Sequence, residues 1–414
     1  MSKIFLSAAL LVILSACSRS EPPTPAAPPP APAPVEAPAE VADSVYLNGR
    51  IYTVDEAQPW AEAVAISGDR FVAVGSNEAI ESRLGDNTQV HDLQGKFVMP
   101  GIFDLHSHPY ITPWYGSMNL ELTGADTKDA VLAAVQAYAE AHPEKEWIIG
   151  GQWLLGVFPE DSPRKEWLDE IVPDRPVALL DQTGHAMWLN SKAMELAGID
   201  ADTATSQLIV IHKDAATGEP TGTINEQTIQ LVERQIPQAS AEEYADTIAE
   251  IFEMFLSYGI TSQQTAEGHR APLDATQYLE KQGRLEQRVF VSWDWKTTLN
   301  LAYTLDDIEG QIRNRAKYGS DYIYPDYVKI FADGGPFSAT SLLLEPYEES
   351  FAGAPDNHGG ANMSEEQFVE AFSMFDDWGV GVHVHAMGDG TIRMVVDALA
   401  EMKDANGDSG VHHK

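Results

Sequence analysis

Cysteine is nearly absent from this chain of 414 residues, in which Cys17 is the only one. A single cysteine excludes an intramolecular disulfide and excludes any zinc or thiol site that is built from several cysteines. Basic residues are also scarce, because 26 Lys and Arg stand against 63 Asp and Glu and leave a formal net charge of −37. Such a charge repels phosphate backbones and anionic lipid headgroups, so the sequence argues against a nucleic-acid partner.

The composition is otherwise that of a folded protein. Hydrophobic residues make up 44 % of the chain and charged residues 21 %, which excludes a fully disordered or fibrous protein. At roughly 150 residues per domain the length favours two or three units, although one α/β barrel can take about 250. The acidic excess is then typical of a solvated surface rather than of a specific cation-collecting role.

The first 42 residues predict an export signal and a spacer. An apolar run from Ile4 to Ala16 follows Lys3 and ends at Cys17, which is the layout of a secretory signal and is too short to span a bilayer. The tetrapeptide Leu-Ser-Ala-Cys at 14–17 resembles the bacterial lipoprotein box. The resemblance implies a lipid on Cys17 and a protein anchored in the cell envelope, and Ser18 favours the outer membrane, facing the periplasm. A plain signal peptide with an unmodified cysteine is the alternative.

Residues 18–42 predict an extended linker, because nine of the 22 residues at 21–42 are proline and such a segment cannot build a core. The short β-type runs that follow, at 43–98, are separated by Asn-Gly and Gly-Asp turn signals and predict a small antiparallel sheet. After Gly101 strands alternate with amphipathic helices, which is the pattern of a parallel α/β sheet.

Two helices of this alternating part carry clear boundaries. Ser240 with Glu243, and Ser364 with Gln367, are capping boxes that open helices. The segment at about 112–236 is too long for one connection, so it is interpreted as an inserted subdomain. Five barrel-type strands are predicted, at Ile102–His106, Ile260–Gln264, Val289–Trp293, Val328–Phe331 and Val380–His385.

The strongest local signal for chemistry ends the first of these strands. Alternate side chains of a strand share a face, so Asp104, His106 and His108 point one way. Two imidazoles at the C-terminal mouth of a barrel strand can bind one zinc-like ion. Paired histidines also occur at surfaces and in cores, so the motif alone does not decide.

Two further strands carry candidates. His383 and His385 share one face of the last strand; His385 lies nearest the strand end, whereas His383 is one layer deeper and reads as a supporting or core histidine. Lys329 interrupts an apolar strand, which is costly unless its charge is neutralised or used. Either Lys329 pairs with a carboxylate in the barrel, or carbon dioxide carbamylates it into a carboxylate that bridges two metals.

Together these motifs resemble the amidohydrolase superfamily and, within it, the YtcJ-like amidohydrolase 3 group. The resemblance covers the chain from about Asp43 onward. It implies an α/β fold in which a metal-dependent (β/α)₈ TIM-type barrel, here at 99–414, lies beside a β-sandwich portion at 43–98. It also implies hydrolysis of a C–N bond in an amide or formamide. It rests on Pro100–His108, Gly184–Ser191, Val328–Gly335, Leu344–Tyr347 and His385–Asp389.

The resemblance also implies roles for single residues. His106 and His108 become ligands of a first metal and His385 a ligand of a second, with Lys329 as the candidate bridging carbamate. Lys329 and His385 are thereby placed in the catalytic centre, and His185 lines the substrate pocket. The implied cofactor is one or two divalent ions, with zinc expected, which activate water for attack on the substrate carbonyl.

One departure from the family pattern is expected to matter. Members continue with another metal-binding histidine strand and a last strand that carries an aspartate, whereas this sequence reaches Lys414 where a sixth strand is expected. We therefore expect an incomplete barrel of about five strands from a longer gene product, and His412 and His413 are not assigned as ligands. A non-catalytic envelope lipoprotein that binds a small molecule, or an inactive fragment, is the alternative. Neither needs His106, His108 and His385 to meet.

Overall fold

The computed structural model describes residues 40–111, 115, 119–158, 162–205, 209–237, 239–268, 270–295, 305–352 and 355–414. The predicted signal sequence, Cys17 and most of the predicted linker lie outside the described residues. Within the described ranges, no helix has the length and apolar character needed to cross a membrane. The chain forms two compact units that divide after Pro100.

The first unit contains two small sheets, ordered β5-β4-β1-β6 and β3-β2-β7. Ile51 and Ala61 of the smaller sheet share a buried cluster with Val64 of the larger one; the β-sandwich itself stays a prediction. Its elements are β1 (Ser44–Leu47), β2 (Arg50–Tyr52), β3 (Trp60–Ala61), β4 (Ala63–Ser67), β5 (Arg70–Gly75), α1 (Asn77–Glu81), β6 (Gln89–Asp92) and β7 (Phe97–Val98).

The expectation of a purely antiparallel sheet at 43–98 is wrong. Strand β4 is antiparallel to β1 and β5, but β1 pairs with β6, and β2 with β7, in parallel. Turn signals fix only the orientation of strands joined by a tight turn, such as β4 and β5 around Gly68, whose φ is +56°. Strands far apart in the chain are not constrained in this way.

The second unit, residues 101–414, contains the remaining elements in chain order. They are β8 (Ile102–Ser107), β9 (Leu120–Glu121), α2 (Lys128–Ala141), β10 (Ile148–Trp153), α3 (Lys165–Ile171), β11 (Val177–Asp181), β12 (Ala186–Leu189), α4 (Ser191–Ala197), β13 (Ile209–Lys213), β14 (Pro220–Glu226), α5 (Ile229–Glu233), α6 (Ala241–Ser257), β15 (Ile260–Thr265), α7 (Arg270–Lys281), β16 (Arg288–Asp294), α8 (Leu305–Arg313), β17 (Ile323–Phe331), α9 (Glu349–Ala352), α10 (Glu365–Asp377), β18 (Gly381–His385) and α11 (Asp389–Asn406).

A parallel five-stranded sheet organises this unit, with the order β18-β17-β16-β15-β8. All five predicted barrel strands are confirmed within a few residues. The expected partial barrel is therefore present as a half-barrel sheet, with β8 and β18 as its edge strands. Lys414 extends the hydrogen bonding beside β18, because its N–H donates to the Val382 carbonyl at 2.8 Å and its carbonyl accepts from the Val384 N–H at 2.7 Å.

Two helices that pack on the sheet begin where their sequences predict. Both predicted capping boxes are formed, at Ser240 for α6 and at Ser364 for α10. Phe368, Phe372 and Phe375 of α10 are buried in the main core, because residues three to four apart share one face of a helix. Packing of such an apolar face stabilises a helix in a protein more than its intrinsic helix propensity does.

Between β8 and α6 lies a second, six-stranded sheet, ordered β13-β14-β12-β11-β10-β9. Strands β9, β10 and β11 are parallel, whereas β11, β12, β14 and β13 follow one another antiparallel. Trp188, Met187 and Leu179 are fully buried at its centre. The segment predicted as an insertion thus has its own sheet and core, of which the sequence predicted only the strand at 177–180.

Candidate metal centre

Histidines from the two edge strands of the half-barrel meet at its C-terminal rim. The Nδ1 atom of His106 on β8 lies 3.0 Å from the Nε2 atom of His383 on β18. These residues are 277 positions apart and sit on the outermost strands, so the contact requires the sheet to curl strongly. His106 remains exposed because β8 is an edge strand, whereas His383 is only 4 % exposed.

The environment keeps these rings uncharged. Burial, together with the nearby positive charge of Lys329, lowers the pKa of His383 to about 2 and that of His106 to about 4. The second nitrogen of His383, Nδ1, lies 3.2 Å from the Ser292 hydroxyl, which fixes the ring. Neutral imidazole is the form that binds metal ions, so the rings need release no proton to do so.

The other two predicted histidine ligands lie on either side of this pair. His108 places Nδ1 3.1 Å from the Glu267 carboxylate, and its ring centre is 5.3 Å from that of His106. His385 lies one layer further along β18, with its ring centre 5.9 Å from His185. Its Nε2 is buried and makes no hydrogen bond to any described residue, and burial lowers its pKa to about 3.

Lys329 lies among these histidines. It is fully buried on β17, in register with His383 on one side and Asp294 of β16 on the other. Burial lowers the pKa of Lys329 to about 8, against the opposing effect of Asp294 and Glu267. Its Nζ has no hydrogen-bond partner among the described residues and lies 4.9 Å from the centre of the Phe331 ring. A direct contact with a carboxylate, one of the two alternatives for Lys329, is therefore not formed here.

The histidine nitrogens at this rim fit a divalent cation on one condition. Two nitrogens that bind one zinc ion at about 2.1 Å are separated by roughly 3.0–3.4 Å. His106 and His383 lie at this spacing, at 3.0 Å, but as a hydrogen-bonded pair, so the His106 ring has to turn away from His383 to bind an ion. Within the described ranges, however, no three His, Cys, Asp or Glu side chains form a cluster that could hold a metal ion. The ammonium of Lys329 lies near the histidines and repels a cation, so these residues can bind a metal ion only when Lys329 is uncharged or carbamylated.

Several buried polar atoms near the rim make no hydrogen bond to a described residue. They are Lys329 Nζ, His385 Nε2, Glu267 Oε1 and both carboxylate oxygens of Asp294.

A cavity of about 460 Å³ opens beside this rim, between the half-barrel and the insertion. His108 and His385 line it from the half-barrel, and His185 lines it from the insertion. The His185 Nδ1 atom lies 3.1 Å from the Glu226 carboxylate. Burial opposes protonation of His185, but the hydrogen bond to Glu226 and the negative charges of Glu226, Asp181 and Asp333 together raise the pKa of His185. A small molecule in this cavity would therefore touch both the candidate ligands and a readily protonated histidine.

The sequence pattern of the "Amidohydrolase family" matches residues 89–414. The chain belongs to this family. It is 28 % identical over 381 residues to "Protein LONG AFTER FAR-RED 3" of Arabidopsis thaliana, covering 89 % of this chain and 63 % of that protein, so it spans less than two thirds of this relative. It is 27 % identical to "Putative amidohydrolase YtcJ" of Bacillus subtilis over 88 % of this chain and 67 % of that protein.

Two more similarities bear on the fold and the site. "N-substituted formamide deformylase" of Arthrobacter pascens is 25 % identical over 379 residues, which is 89 % of this chain and 68 % of that protein. An uncharacterized metal-dependent hydrolase from Pyrococcus horikoshii superposes with a TM-score of 0.62 over 86 % of this chain and 68 % of that one, at 22 % identity. The latter shows the fold of this amidohydrolase.

Sequence reasoning missed the carboxylates that shape the site. Asp333 follows β17 and is buried; its oxygens accept from the N–H groups of Met387 and Gly388, at 3.0 and 2.9 Å, and from the Thr391 hydroxyl at 2.6 Å. It thus ties the end of β17 to the segment after His385. Glu267, which orients His108, comes two residues after β15. A carboxylate directly after a parallel strand was the available signal, since strand ends converge at one rim.

Proposed function

We propose that this amidohydrolase is a metal-dependent hydrolase that cleaves a non-peptide C–N bond, in an amide or an N-substituted formamide, by activating water. The observation that carries the proposal is the convergence of histidines around a buried lysine that makes no hydrogen bond to a described residue, beside a cavity. The similarity to the N-substituted formamide deformylase of Arthrobacter pascens supports a formamide as the first substrate to test. A protein that only binds a ligand has no use for so many buried polar atoms without hydrogen bonds, because each costs about 1–3 kcal/mol.

His106, His108 and His385 would hold the divalent ion or ions, and Lys329, once carbamylated, would supply a carboxylate as a further ligand. A bound ion of this kind polarises a carbonyl and lowers the pKa of water toward about 7. The protein's own groups hold the geometry: Glu267 orients His108. His185 lies across the cavity from His385, so its ring is placed to donate a hydrogen bond to the substrate carbonyl.

A chelation experiment tests this proposal. The zinc-loaded protein is expected to release amine from N-benzylformamide, and removal of zinc by dipicolinate is expected to lower the rate at least about 100-fold. Re-addition of zinc should restore it. As the control, dipicolinate already saturated with zinc should leave the rate unchanged. Hydrolysis that survives complete metal removal, or no hydrolysis by protein with bound zinc, would contradict the proposed function.

We also propose that Cys17 is lipidated and anchors the enzyme in the cell envelope, as the tetrapeptide that ends at Cys17 suggests. The charge of the remaining chain argues against direct membrane binding. Labelling cells with a radioactive fatty acid should mark the wild-type protein. A Cys17→Ala variant should remain unlabelled and leave the membrane fraction. An unlabelled wild-type protein would refute the anchor.

A further inference from the structure

Glu233 is a buried carboxyl group that the candidate metal centre does not use. It ends helix α5 and lines the cavity together with Ile229 and Gln230 of the same helix. The side chain is held in place because the Tyr115 hydroxyl donates a hydrogen bond to Oε1. Glu233 is only 6 % exposed, and Oε2 has no hydrogen-bond partner among the described residues. Such an atom costs about 1–3 kcal/mol unless a ligand pairs with it.

Most other carboxyl groups around the cavity are already satisfied by the protein. Asp181, Glu226 and Asp333 each have both oxygens in hydrogen bonds to backbone N–H groups, hydroxyls or His185. Glu267 has one free oxygen, but its other oxygen contacts His108, so it belongs to the candidate metal centre. Glu233 is thus the cavity carboxyl, among the residues the structure describes, that is left for a substrate.

The charge of the cavity wall indicates what Glu233 would bind. No lysine or arginine lines the cavity in the part of the chain that the structure describes, whereas Asp181, Glu226 and Glu267 do. Burial, with smaller contributions from Asp294 and Glu267, raises the pKa of the Glu233 carboxyl to about 8, so the group is mostly protonated at pH 7 until a cation binds beside it and lowers that pKa. An anionic group would meet several carboxylates and, among the described lining residues, only one readily protonated group, His185. A cationic donor would supply the missing partner of Oε2.

We propose that Glu233 recognises an ammonium group on the nitrogen substituent of the substrate, so that the cavity prefers cationic amides to neutral ones and neutral ones to anionic ones. The inference rests on the proposed function for the amide, but the preference is a property of binding. It therefore deepens the proposed function by naming a substrate class, and it can be measured without turnover.

Three formamides of matched length serve as probes: N-(4-aminobutyl)formamide, N-pentylformamide and 4-formamidobutanoate. Their dissociation constants for the wild-type protein are measured by competition against a fluorescent ligand of the cavity, with metal-free protein so that hydrolysis does not interfere. The cationic probe should bind about tenfold more tightly than the neutral one, because it forms a charge-assisted hydrogen bond that the neutral probe cannot form. The anionic probe should bind most weakly. Equal affinities, or tightest binding of the anionic probe, would overturn the proposal.

The Glu233→Gln variant tests whether Glu233 causes the preference for the cationic formamide. Its side-chain oxygen can still accept the Tyr115 hydrogen bond, so the fold is retained, while affinity for the cationic probe should fall about tenfold and affinity for N-pentylformamide should stay within about twofold. Glu195→Gln replaces an exposed glutamate on α4 in the same way and should change the affinity for neither probe.

A preference for the cationic probe that survives Glu233→Gln would overturn the role of Glu233. Wild-type protein that shows the preference but hydrolyses no formamide when loaded with zinc would refute the proposed function and leave this inference standing.

Discussion

A His106→Ala variant is expected to lose bound zinc and amide hydrolysis together. His106 is the ring that contacts His383 across the two edge strands, at 3.0 Å, and its low pKa keeps it ready to bind a cation. Losing even an outer-shell partner of a metal ligand costs about 10–100-fold, so losing the ligand should lower kcat/KM by at least about 100-fold. Metal content by mass spectrometry and kcat/KM with N-benzylformamide are the two measurements.

His142→Ala is the matched control for this variant. His142 follows α2 at a half-exposed position, where it contacts Glu144 and is far in sequence from the candidate ligands. It should keep both zinc and activity. If His106→Ala retained stoichiometric zinc and wild-type hydrolysis, its assignment as a ligand would be wrong.

Lys329→Met is the second substitution with a large expected effect, because it separates the two alternatives for the buried lysine. If Lys329 mainly neutralises Asp294 and Glu267, its removal leaves buried charge without compensation and should lower the free energy of unfolding by about 3–5 kcal/mol. If it is a metal-bridging carbamate, the metal-free variant should unfold within about 1 kcal/mol of the wild type, since an unpartnered buried ammonium is itself unfavourable. We expect the second result, with activity lowered at least about 100-fold.

The free energy of unfolding is measured by urea denaturation of the metal-free proteins, and activity is measured as kcat/KM of the zinc-loaded proteins. Lys281→Met, at the exposed C-terminal end of α7, removes the same charge and should leave both unchanged. Acetate should partly restore activity to Lys329→Ala by supplying a carboxylate in the vacated space. A fully active Lys329→Met variant, or one whose metal-free form loses several kcal/mol of stability relative to the metal-free wild type, would contradict the bridging role.

The half-barrel could be predicted from sequence because its signals are local. Capping boxes at Ser240 and Ser364, apolar stripes at helical spacing and alternating strand ends lie within a few residues of one another. The six-stranded sheet of the insertion could not be predicted as easily. Strand β11 is buried at every position, so it shows no alternation that separates a buried strand from a buried helix segment.

The sequence predicts which histidines lie near the rim of the half-barrel, but not which of them are in contact. Alternation along one strand correctly places His383 and His385 on the same face of β18, with His385 nearer the strand end. Which of them meets His106 depends on how the first and last strands are staggered when the sheet curls, and no local pattern encodes this. The structure brings His383, rather than His385, to His106, and brings His385 toward His185. The role of each histidine in metal binding and catalysis stays a prediction.

Zinc-edge anomalous diffraction from crystals grown with zinc tests the central claim most directly, because it locates the ion without relying on activity. We expect an anomalous peak about 2.1 Å from ring nitrogens of His106 and His108, with the Lys329 side chain in contact with the same centre. A protein whose crystals bind zinc only elsewhere, with the His106 and His383 rings still in direct contact and no peak near them, would contradict it.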